Sequence, residues 1–110
     1  MTYIKREQLN ILFEKQVARC RNVLNGKAAE YTGGKENRLC AFKAASALQH
    51  CTPEQALAGM LAKHIVSICD LCAAPSRSFA PEVWDEKITD SLNYLFLLKA
   101  LTEENKAGSD

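Results

Sequence analysis

The residues whose types and spacing suit chemistry fall into two short polar series. Lys63, Ser67 and Asp70 recur at i, i+4 and i+7, and Glu86, Asp90 and Asn93 repeat the same spacing further along the chain. On a helix such a series stacks along one side. Both are set among apolar residues, with Leu57, Met60, Leu61, Ile65, Val66, Ile68 and Leu71 around the first and Trp84, Ile88, Leu92 and Tyr94 around the second. A charge among apolar side chains is costly unless it is paired or solvated. The two seams are therefore expected to face each other, a water-filled cleft or a ligand. In the purely structural arrangement Lys63 pairs with Asp90 or Glu86 as buried electrostatic glue. In the functional arrangement the seams line a cleft. There Lys63, with His64 on the adjoining face, meets phosphate oxygens, while Asp70, Glu86 and Asp90 hold a divalent cation or hydrogen-bond a sugar or base.

These series need helices to position them, and the spacing of apolar residues predicts four. From Arg6 to Tyr31, Leu9, Leu12, Phe13, Val17, Cys20, Val23 and Leu24 keep the three-four rhythm of one helix face, ended by Thr32, Gly33 and Gly34. Arg38 to Gln49 reads as a shorter, alanine-rich helix. Thr52-Pro53-Glu54-Gln55 is a helix start, with threonine as cap, proline in the first turn and glutamine closing a capping box, and predicts a helix over 53–72. Pro75 to Phe79 marks a loop, Pro81 opens a fourth helix over 82–104, and 105–110 reads as a frayed polar tail. No alternating strand pattern occurs. The expectation is one all-α, four-helix bundle-like domain over 1–110, since a chain of this length is too short for two independent cores. The fourth helix is apolar on nearly all sides, which a four-helix domain cannot cover alone, so a homo-oligomer is expected.

Charge and cysteines narrow the function classes. The net charge is +1, and the basic residues of the first helix are scattered without an aromatic platform, which argues against nucleic acid as a partner. The distribution is uneven. Residues 1–50 carry nine Lys or Arg against four Glu, and residues 51–110 carry five against nine acids. The two halves are expected to attract each other within the fold, to pair subunits, or to leave a basic rim for an anionic ligand. Five cysteines form an odd set with no leader segment before them, which points to the cytoplasm. Cys69 and Cys72 form a C-x-x-C that ends an apolar run instead of opening a helix after a strand, and no second pair exists to close a zinc site. No apolar run is expected to reach the length of a membrane span.

The residues also carry a resemblance. Glu30-Tyr31, Asn37-Arg38-Leu39, Phe42-Lys43-Ala44-Ala45, Thr52-Pro53-Glu54, Met60-Leu61-Ala62-Lys63 and Asp90-Ser91-Leu92-Asn93-Tyr94-Leu95 resemble small phage and prophage proteins akin to the MazG-like, all-α NTP pyrophosphatase superfamily. The resemblance spans roughly residues 20–101 and implies a helical bundle that assembles further and binds nucleotides between helices. Superfamily hydrolases release pyrophosphate using magnesium held by an E-x-x-E pair on one central helix and an E-x-x-D pair on the next. Here Asp90 matches the second motif's aspartate, but the glutamate expected three residues earlier is Lys87, with Glu86 one position early, and the first motif's acids are replaced by Lys63, Ser67 and Asp70. Magnesium favours several hard carboxylate oxygens, whereas lysine neutralises phosphate directly. The expectation is a phage-type protein, acting in the host cytoplasm, that sequesters or senses a phosphorylated nucleotide such as a defence signal, with little or no hydrolysis. Lys63, His64, Ser67, Asp70, Glu86, Lys87, Asp90, Asn93 and Tyr31 are its binding candidates, and Tyr31 and Trp84 its candidate base-stacking groups. The alternatives are a magnesium-dependent pyrophosphohydrolase with Asp70, Glu86 and Asp90 on the metal, and an inhibitor that acts by binding a host defence protein.

Overall fold

Thr52 starts the middle helix as its sequence requires. Its hydroxyl accepts from the Gln55 backbone N–H at 3.1 Å, and the Gln55 side chain accepts from the Thr52 N–H at 2.9 Å. The helix that follows is α3, Pro53–Ala73, and the others are α1, Arg6–Thr32, α2, Cys40–Gln49, and α4, Pro81–Gly108. The computed structural model describes the backbone of residues 3–32, 38–75 and 78–108, with side chains at 3–26, 38–75 and 78–106. Among these residues there is no strand, and the architecture is an all-α bundle.

Two boundaries differ from the sequence expectation. α2 begins at Cys40, not Arg38, because Leu39 occupies the cap position, where it offers no side-chain acceptor and instead buries its own side chain. α4 continues as helix through Gly108, beyond the end expected at residue 104. The cause is visible in its side chains: the Asn105 amide donates to Glu54 at the start of α3, and Lys106 pairs with Glu103 at 3.5 Å. α2 ends at His50, whose positive φ of 54° turns the chain out of the helix.

The core is small and lies where α2, α3 and α4 meet. Leu39, Phe42, Leu57 and Leu101 are buried together, with Met60, Tyr94, Leu97 and Leu98 packed against them. Asn105 meets Glu54 and His64 lies against Tyr94, so α3 and α4 run antiparallel. α1 lies beside α4 instead, in the same direction: Gln16 meets Thr89 and Cys20 meets Asn93, both pairs 73 residues apart. Among the described residues α1 touches α4 and α2 but not α3. The result is elongated, 53 × 28 × 26 Å. α3 is also long and apolar enough, by length and composition, to cross a membrane, contrary to the sequence expectation, because Lys63 and Asp70 do not lower its average enough. In this fold it packs between α2 and α4.

Candidate functional site

The two polar seams do not meet. The face that α3 turns to α4 carries Leu57, Met60 and His64, and Lys63 and Asp70 each fall one residue, about 100° of helix, before His64 and the buried Leu71. Both are exposed. Ser67 is half-buried, and its hydroxyl donates to the Lys63 carbonyl at 3.1 Å within the helix. His64 is the one member of this group inside the α3–α4 contact, with its ring 4.9 Å from that of Tyr94 and tilted 34°.

The α4 seam is split. Asn93 is 8% exposed and donates from Nδ2 to the Cys20 carbonyl of α1 at 3.1 Å. One turn earlier Thr89, 2% exposed, accepts from Gln16 Nε2 at 2.9 Å. These two groups form the polar lining of the α1–α4 contact, and neither points into an α3–α4 cleft. Glu86 is exposed, while Asp90, Trp84 and Lys87 are half-buried. The Lys87 carbonyl accepts from the buried Ser91 hydroxyl at 2.8 Å. Tyr31 has its side chain outside the described residues.

The expected Lys63–Asp90 or Lys63–Glu86 glue is absent from the described ion pairs. Two of those that do form join the basic front half to the acidic rear half. Arg19 pairs with Asp85 at 2.6 Å, linking α1 to α4, and Lys43 pairs with Glu104, linking α2 to α4. Attraction between the halves within the fold, one of the three expected uses of the charge asymmetry, is therefore realised.

Among the described residues no three His, Cys, Asp or Glu side chains come together as a metal-holding group. Asp70 stands on the outer side of α3, and Glu86 projects from the exposed side of α4. The C-x-x-C thiols of Cys69 and Cys72 are free and exposed on the last turns of α3.

An open groove lies elsewhere, between α1, the entry to α2, and α4. It has a volume of about 530 Å³ and is lined by Leu24, Arg38, Leu39, Phe96, Leu97, Ala100 and Glu104. Its floor is apolar because Leu39, Leu97 and Ala100 belong to the edge of the core. Its rim is chemically distinct. Arg38 is exposed, Phe96 is 58% exposed, and Glu104 is engaged by Lys43. The groove thus combines a guanidinium donor array, an accessible aromatic face and a carboxylate whose charge is balanced by a neighbouring lysine.

Sequence reasoning missed Arg38, Phe96 and Glu104 as site residues. Arg38 sits in the Asn37-Arg38-Leu39 string, but its partners come from α4, nearly sixty residues away, and no local spacing links them. Set against protein-family models, curated proteins and solved structures, the chain matches none of them.

Proposed function

We propose that the protein binds a phosphorylated nucleotide, holding or sensing it without hydrolysis, in the groove between α1 and α4. The observation that carries this reading is the pairing of Arg38 with the exposed Phe96 ring on one groove of about 530 Å³, a size that suits a small molecule. A guanidinium presents a fork of N–H donors that matches phosphate oxygens, and an accessible ring offers a stacking face to a base. The apolar floor of Leu39, Leu97 and Ala100 takes the ring's edge, and the Glu104 carboxylate accepts from a sugar hydroxyl or a base amine. Lysine stands at position 87, where the hydrolase pattern has a glutamate, and at 63 in place of the first motif's acids, which supports binding over turnover. The resemblance to small phage proteins makes cyclic dinucleotides, as host defence signals, the class to examine first.

Calorimetry without magnesium, on a panel of mononucleotides and cyclic dinucleotides, tests the proposal. A charge-assisted hydrogen bond is worth about 1.5–3 kcal/mol, so Arg38→Ala is expected to weaken binding by about ten- to a hundredfold. Phe96→Ala is expected to weaken it by a similar factor through lost stacking. Absence of binding at millimolar ligand would remove the proposal. Weakening by Lys63→Ala with Arg38→Ala unchanged would move the site to the outer face of α3.

A further inference from the structure

The inward stripe of α1 is covered along only half its length. Its carboxyl-terminal part, Gln16, Val17, Cys20, Val23 and Leu24, is at least half-buried. The same stripe continues towards the amino terminus as Leu9, Leu12 and Phe13, which are 52%, 53% and 64% exposed. Carried back along α1, the 73-residue offset reaches the first residue of α4, Pro81, opposite position 8. α4 therefore runs beside this stripe without burying it, and among the described residues α3 does not approach α1. A second uncovered apolar face lies on α4, where Ile88, Leu92 and Leu95 fall at i, i+4 and i+7 and are 37%, 41% and 48% exposed.

The whole chain shows the same deficit. Its accessible surface is 8308 Å², whereas a compact monomer of 12.2 kDa exposes about 6,100 Å². The radius of gyration is 16.5 Å, against about 13 Å for a compact chain of this length. The excess of about 2,200 Å² is the amount each subunit of a large obligate homodimer buries against its partner.

We infer that the amino-terminal half of α1, through Leu9, Leu12 and Phe13, docks on the Ile88–Leu92–Leu95 face of α4 in a second copy of this chain. A reciprocal arrangement with two-fold symmetry covers both faces of both copies and leaves no open end. A lipid surface fits less well, because Lys5, Arg6, Glu7, Glu14 and Lys15 flank the stripe with mixed charge rather than a basic face.

Light scattering and sedimentation on the unmodified chain at micromolar concentration are expected to give a multiple of 12.2 kDa, with a Tm that rises with protein concentration. A 12.2 kDa particle with a concentration-independent Tm overturns the inference, and a monomer that co-floats with anionic vesicles assigns the stripe to lipid instead. Phe13→Glu and Leu92→Glu, each with helicity retained by circular dichroism, are both expected to reduce the mass. Loss of assembly with Phe13→Glu but not with Leu92→Glu overturns the pairing of α1 with α4. Because the unmodified chain is measured for both mass and Tm, a variant that fails to fold does not remove the test.

Discussion

Asn93 shows how a polar residue legible in the sequence takes a role that its spacing does not reveal. Its place in the Glu86, Asp90, Asn93 series marks it as a residue needing a partner, and a partner exists, but on α1. The same need is met at Thr89, Ser91 and Ser46, all buried and all hydrogen-bonded. No buried side-chain nitrogen or oxygen among the described residues lacks a partner. Sequence periodicity states that a side chain must be satisfied, but a helix carries several candidate neighbours, and which one supplies the acceptor is decided by packing. Asn93→Ala removes one hydrogen bond and leaves a small void beside Cys20. We expect a loss of about 1–2 kcal/mol in urea unfolding, with nucleotide affinity unchanged. A variant of unaltered stability that has lost its ligand would show that Asn93 serves the ligand and not the α1–α4 contact.

At the scale of elements, the helices whose ends carry side-chain signals were the most legible. The capping box at Thr52 and Gln55 placed the start of α3 at its observed residue. Thr52→Ala is expected to cost about 1 kcal/mol, read as a lower urea midpoint with an unchanged slope. Gly59 lies within the same helix, and a Cβ added there meets nothing within 4 Å. Gly59→Ala therefore gains helix propensity without a clash and is expected to raise stability by about 0.5–1 kcal/mol in the same measurement. A loss of stability would mean that the open side of α3 is covered by something else in solution. The direction in which α4 faces was not legible, for a physical reason. Thr89, Ser91 and Asn93 are buried in it, while Ile88, Leu92, Leu95 and Phe96 are partly exposed. A helix apolar on most sides has no strong preference of its own, so the small polar residues that let α1 approach decide its rotation.

The molecule as a whole is a three-helix unit of α2, α3 and α4 with α1 strapped along one side. Leu39, Phe42, Leu57 and Leu101 tie the unit together, and every residue from 3 to 15 is exposed. Local opening is governed by how few apolar contacts a segment must give up and how exposed its backbone hydrogen bonds are. In a dissociated chain, such as one carrying Leu92→Glu, residues 6–15 have almost nothing to lose. Hydrogen exchange followed by mass spectrometry is then expected to show this segment exchanging well before peptides from α3 and from 90–101 of α4. The α1 residues from Gln16 onward should be slower, because Gln16–Thr89, Cys20–Asn93 and Arg19–Asp85 must break before they open. Dissociation should leave the rank order within α3 and α4 intact, since their contacts lie within one chain. Equal protection of 6–15 and α3 in the separated chain would mean that α1 is held along its full length by its own α4, and that the exposed stripe is not waiting for a second copy.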